Sequence, residues 1–253
     1  MKRDIFTLMI LLCSIPAFTQ EKIDTIHLSD NRLQTKWLRP GKHSYLVFFE
    51  DSSGRKSRFS LWERNVSFVK INGQDIILIN QEWMSNDSMG SRKVLSHIDR
   101  KSFSPLYHHT WSPRAGIQAY QFTQGTVKGV DSVTASTNKD FSISSSELTM
   151  NWELDLETFS LLPYKEGKTF ALNFYHPGSK TIPKFYNYKV TGSEKLTLLN
   201  GQLEDCWLLS IVYDEARNSK ATFYISKKTQ DVLKMVEHIG KNKRYKVKMG
   251  LAI

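Results

Sequence analysis

The sequence predicts a mainly β protein with one or two short helices, folded as a single domain over residues 21–253. Three observations carry that expectation. Short runs of β-branched and aromatic residues recur along the chain, Asn-Gly pairs punctuate them, and the last run alternates apolar and polar residues with period two. Of 253 residues, 40% are hydrophobic and 24% charged, an ordinary globular balance that excludes a disordered or collagen-like chain.

Residues 1–20 read as a secretory signal. Lys2 and Arg3 precede an apolar stretch from Ile5 to Phe18 that contains the helix breaker Pro16. That stretch is shorter than the roughly 20 residues a membrane-spanning helix needs, and no later window is apolar for so long. The mature chain is therefore expected to be periplasmic or secreted, cleaved near residue 20 and without a transmembrane span. Cys13 sits inside the apolar core, not at its end, which disfavours a lipid-anchor signal. Losing Lys2, Arg3 and Asp4 leaves 33 basic and 24 acidic residues, a formal charge of +9, with Cys206 as the only thiol. One thiol cannot make an internal disulfide, and its place before Trp207-Leu208-Leu209 suits a small buried core residue.

Strands are expected at Tyr45–Phe49, Val66–Val69, Ile76–Ile79, Ala119–Phe122, Phe170–Phe174 and Ala221–Ile225, where β-branched and aromatic side chains cluster. Asn72-Gly73 and Asn200-Gly201 are expected as tight hairpin turns, because both residue types tolerate positive φ. Gly125 to Gly129 reads as a loop. In the last segment Tyr245, Val247 and Met249 share one face and Arg244, Lys246 and Lys248 the other, so the apolar face is expected to pack and the lysines to guard a wet sheet edge. Leu148 to Glu157 alternates like a strand, yet Trp152, Leu156 and Phe159 also fit helical spacing and Pro163 closes the segment. The residues alone leave strand and helix open there.

Several motifs follow in order: Ser144-Ser145-Ser146-Glu147-Leu148, then Leu161-Leu162-Pro163-Tyr164-Lys165-Glu166-Gly167-Lys168, then Tyr188-Lys189-Val190-Thr191-Gly192-Ser193-Glu194. After Asn200-Gly201 and Cys206-Trp207 comes Phe223-Tyr224-Ile225-Ser226-Lys227, running on to Leu233-Lys234-Met235. Over roughly residues 140–240 this order resembles an exported bacterial family of unknown function, similar in fold to the lipoprotein-localisation (Lol) carriers. The resemblance implies a single curved antiparallel sheet or half-open β-barrel, and it implies a helix in the ambiguous segment. It says little about chemistry, since the motifs are turn and packing signals.

No motif names a reaction. The histidines His27, His43, His97, His108, His109, His176 and His238 show neither His-x-x-x-His nor His-Glu-x-x-His spacing, and adjacent His108 and His109 read as a surface or loop pair beside Trp111 and Pro113. There is no Gly-x-Ser-x-Gly elbow, Cys-x-x-Cys or phosphate loop, and Ser226-Lys227 reads as a strand end. No catalytic residue, cofactor or metal is expected, and a hydrolase would require polar side chains converging in a cleft. Two binding surfaces stand out. Lys241, Lys243, Arg244, Lys246 and Lys248 suit an anionic envelope surface or a protein partner; nucleic acid is not expected of an exported chain whose aromatics are not interleaved with its basic residues. Six tryptophans, ten tyrosines and fourteen phenylalanines could line a concave face that must be covered by a helix or filled by an apolar or lipid-like ligand. The leading expectation is an exported binding protein; the alternative is a structural or protein-interaction subunit of an envelope assembly.

Overall fold

The computed structural model describes residues 23–250, so the expected signal segment lies outside the described residues. After a short strand β1 (Ile23–Ile26), a first meander comprises β2 (Gly41–Glu50), β3 (Lys56–Ile71), β4 (Gln74–Ser85), β5 (Arg92–Asp99), β6 (Pro105–Ser112), β7 (Gly116–Thr123), β8 (Thr126–Gly129) and β9 (Ser142–Ser144). Two residues of strand, β10 (Met150–Asn151), then lead through a 3-10 turn at Trp152–Leu154 into the helix α1 (Asp155–Ser160). A second meander follows: β11 (Thr169–Tyr175), β12 (Lys184–Thr197), β13 (Leu203–Asp214), β14 (Ser219–Ser226), β15 (Val232–Ile239) and β16 (Asn242–Met249).

All strands join one curved, unclosed sheet. The meanders meet where β16 pairs antiparallel with β2, from Lys243 opposite Glu50 to Met249 opposite Ser44. At the far end, β11 is covered on its outer side by β1 and β10, both parallel to it. All six expected strand runs are strands. Asn72-Gly73 is the two-residue turn between β3 and β4, with φ of 50° and 83°. Asn200-Gly201 turns the chain too, but within a wider loop: Leu198 and Gln202 close it by a backbone hydrogen bond, and only Gly201 is left-handed. The expected loop at Gly125–Gly129 contains β8.

The last strand departs from expectation in both placement and facing. β16 is paired on both sides and is no edge. Lys246 and Lys248 are 4% and 8% exposed, whereas Met249 is 40% exposed. Alternation distinguishes two faces without saying which one looks inward. Here the inner face offers carboxylates, Asp155 3.0 Å from Lys246 and Asp231 2.8 Å from Lys248. On the outer face Tyr245 stacks on Phe48 at 4.9 Å.

The segment from Met150 to Leu162 lies in the hollow of the sheet. Its apolar residues Leu154, Leu156, Phe159, Leu161 and Leu162 join the main core, where Phe159 meets Phe174, Tyr188 and Phe223 edge-on or tilted. This settles strand against helix in the helix's favour. The hollow needs a short rod that can present side chains all round, which a strand cannot do. Because the strands are antiparallel, Met249, Gly41, Ile71 and Gln74 lie at one end of the curved sheet and Asn242, Glu50, Ser85 and Arg92 at the other. The Met249 end is closed by residues 28–38. Leu28, Leu33 and Leu38 join the core there, and the Gln34 N–H donates to the Leu161 carbonyl at 2.9 Å.

Candidate functional site

The alternating sequence of the inserted segment acquires its meaning from the sheet around it. Glu153, Asp155 and Glu157, all buried, each meet a cation projecting from an inner strand face. Glu157 takes a two-pronged contact from Arg64 of β3, through Nε at 2.7 Å and through Nη2. Arg64 also donates to Gln81 Oε1 at 2.7 Å and to the Glu153 carbonyl at 2.9 Å, so each of its three nitrogens has an acceptor. Asp155 pairs with Lys246. Glu153 lies 2.6 Å from Arg92 of β5 and 3.4 Å from His108 Nε2 of β6. Burial pushes the Glu153 carboxyl up, but His108 and Arg92 outweigh it and hold it down at about 2.

His108 and His109 are not the surface or loop pair that their sequence suggests. Both lie on β6, and His108 is fully buried, its Nδ1 within 2.9 Å of Ser96 Oγ and 3.0 Å of Asn151 Nδ2. Among the described residues no group of three or more His, Cys, Asp or Glu side chains has metal-binding geometry. Ser226 caps the turn after β14, its Oγ accepting the Lys228 and Thr229 N–H groups at 3.2 and 2.9 Å. Cys206 is buried, and burial together with Glu204 and Asp205 pushes its thiol up to about 12, where it is a core residue and not a nucleophile.

The carboxylate row also clamps an aromatic stack. Trp62 and Trp83 lie face to face on adjacent strands, centroids 4.0 Å apart and 6° from parallel. Lys246 covers the outer face of Trp62 at 5.0 Å and Arg92 sits against Trp83 at 5.2 Å. Each cation thus touches a ring on one side and a carboxylate of the inserted segment on the other.

Beyond Trp152, towards the Asn242 end, the hollow is not filled by the inserted segment. A cavity of about 350 Å³ is lined by Trp152, Tyr186, Tyr213, Phe223 and Met235, with His176 among them. Burial pushes the His176 imidazole down, favouring its neutral form. A second cavity, of about 550 Å³, is walled by Val47, Phe49, Trp62 and Trp83. Arg244 lines both, so the two hollows adjoin. At the Met249 end the corresponding hollow beside Tyr45 and Ser160 holds only about 20 Å³. A further apolar hollow, of about 410 Å³, lies by Leu196, Leu199 and Leu233 and borders Gly250, the last described residue.

The five basic residues singled out from the sequence are divided by this arrangement. Lys246 and Lys248 are buried in ion pairs, which removes them from any surface contact. Arg244 turns inward at the rim, 2.6 Å from Glu237, while Lys241 is exposed in the β15–β16 turn and Lys243 is half-buried beside Glu50. The carboxylate row itself, which decides how the hollow is filled, escaped the sequence reading. Its trace was the unbroken alternation from Leu148 to Glu157, acidic at three successive polar positions.

Among the described residues no helix is long and apolar enough to cross a membrane. Solved structures similar to this chain include two bacterial proteins. One is a candidate exported protein with a YmcC-like fold from Bacteroides fragilis, at 8% identity and a TM-score of 0.30, covering 83% of this chain and 94% of that one. The other is a DUF1329 family protein from Desulfovibrio piger, at 8% identity and a TM-score of 0.26, covering 83% of each chain. No curated protein matches the sequence. A family described as a protein of unknown function (DUF3108) matches residues 44–248, which takes in both meanders and the inserted segment, and the chain belongs to that family.

Proposed function

We propose that this protein is an exported, non-enzymatic envelope binding protein that holds an apolar or lipid-like ligand in the hollow at the Asn242 end of its curved sheet. One observation carries the reading. The inserted segment fills the concave face from the Met249 end only as far as Trp152, leaving two cavities in which Trp152, Tyr186, Tyr213, Phe49, Trp62 and Trp83 stand beside charged groups such as Lys184, Glu237 and Arg244. A protein whose sheet served only as a scaffold would be expected to fill that end too. The basic residues keep a reduced part in this reading: Lys241 and Lys243 stand at the same end and would draw an anionic envelope surface towards the opening.

Delipidated protein incubated with an envelope lipid extract, repurified and examined by native mass spectrometry should retain an adduct. Tyr213→Trp, which narrows the 350 Å³ cavity, should reduce the retained fraction several-fold without loss of folded protein. Absence of any adduct from the wild-type protein would remove the reading. Lys241→Glu with Lys243→Glu should lower sedimentation with anionic vesicles while leaving loading from dispersed lipid intact.

A further inference from the structure

We propose that the larger of the two hollows is an anion-binding site, in which Arg58, Arg114 and Arg244 grip the phosphate-like or carboxylate head of an amphiphile. This inference rests on the reading above and gives the ligand a charged end. Three arginines line the cavity against a single carboxylate, Asp87, whose side chain already accepts the Met89 N–H at 3.0 Å. Arg58 and Arg114 have no carboxylate partner among the described residues. Arg244 is close to Glu237 but poorly aligned with it, so that neither Arg244 Nε nor Glu237 Oε2 has a hydrogen-bond partner although both are buried. Arg58 and Arg114 are exposed at this hollow, and their uncompensated charge attracts an anion there, while the guanidinium fork matches two oxygens of one head group at once.

The backbone supports the same placement. Opposite the β2 residues Val47 and Phe49, the β3 register slips between Ser60 and Ser57. Arg58 sits in this bulge with a φ of 53°, a conformation that residues other than glycine rarely adopt, and its guanidinium lies 5.5 Å from the Phe49 ring. Bulges re-aim side chains that a regular strand would place elsewhere. Val47, Phe49, Trp62 and Trp83 offer an apolar wall to the same hollow, and Arg244 also lines the aromatic cavity. A head held by arginines with a chain lying along Trp152, Tyr186 and Tyr213 fits that sequence of surfaces.

Isothermal titration with three probes tests the inference: dodecyl phosphate below its micellar concentration, dodecyl maltoside and inorganic phosphate. Dodecyl phosphate should bind at least ten-fold more tightly than dodecyl maltoside. Arg58→Gln with Arg114→Gln should weaken it ten-fold or more while the circular dichroism and melting temperature stay unchanged, and Lys241→Gln with Lys243→Gln, of equal charge change, should not. Equal binding of the two detergents, unaffected by the arginine variants, would overturn the anion site and leave the apolar cavity standing. Arginine-dependent binding of inorganic phosphate as tight as that of dodecyl phosphate would support the anion site and refute the amphiphile reading. Failure of all three probes would end both.

Discussion

Arg64 is buried at 1% exposure, and what makes that tolerable is that each of its three nitrogens has an acceptor. Its removal would strand the Glu157 carboxylate in a low-dielectric core, so Arg64→Met should cost about 3–5 kcal/mol, and Glu157→Leu a similar amount. The double variant, which removes both charges, should lose much less than the sum. Urea denaturation of the four proteins reads this directly, and strictly additive losses would show that the pair is not coupled. The same residue scale explains where sequence reading fell short. Lys246 and Lys248 alternate with apolar neighbours as solvent-facing lysines do, and nothing local distinguishes an ammonium facing water from one facing Asp155. Cys206 was legible as a buried residue because the apolar run Trp207-Leu208-Leu209 follows it directly. A buried ion pair joins residues far apart in the chain, as Arg64 and Glu157 are, and leaves no periodic trace at the cationic end.

At the scale of elements, the inserted segment from Met150 to Leu162 is the component that turns a curved sheet into a folded unit. Its alternation resembles a strand because it must satisfy two environments, the aliphatic core on one side and a row of cations on the other. Six strand runs were legible because each carries its own period and composition. From its own residues this segment was legible only as an ambiguity, since its partners lie on β3, β5, β6 and β16; the resemblance resolved it towards a helix. Its acid response follows from Glu153. The folded carboxyl titrates at about 2 against an ordinary 4.5, so its stabilisation is complete above the ordinary value and is lost as the pH falls towards 2. Such a depression corresponds to about 3 kcal/mol at neutral pH. Glu153→Gln should therefore be less stable than wild type at pH 7, and the gap should shrink by about 2 kcal/mol by pH 3. A gap independent of pH would mean that Glu153 is not held ionised by Arg92 and His108.

For the whole molecule, the decisive feature is how the two meanders are held to one another. They share the β16–β2 pairing, and the inserted segment bridges both, since Glu153 and Glu157 reach the first meander while Asp155 reaches the second. The curvature of the sheet and its incomplete filling were accessible from sequence only through the resemblance, because closure depends on twist and on which face each strand turns inward. The division of the hollow into a filled and an unfilled end depends on the length of the insert and could not be read at all. Bridging of this kind predicts that residues 21–253 behave as a single domain. Unfolding followed by calorimetry should give one transition with equal calorimetric and van't Hoff enthalpies. Arg64→Met with Lys246→Met, which removes one ion pair of the insert with each meander, should lower that transition and broaden or split it. Two well-separated transitions in the wild-type protein would instead make each meander its own folding unit, with the β16–β2 seam as a docked interface, and the hollow at the Asn242 end would then lie between domains and not within one.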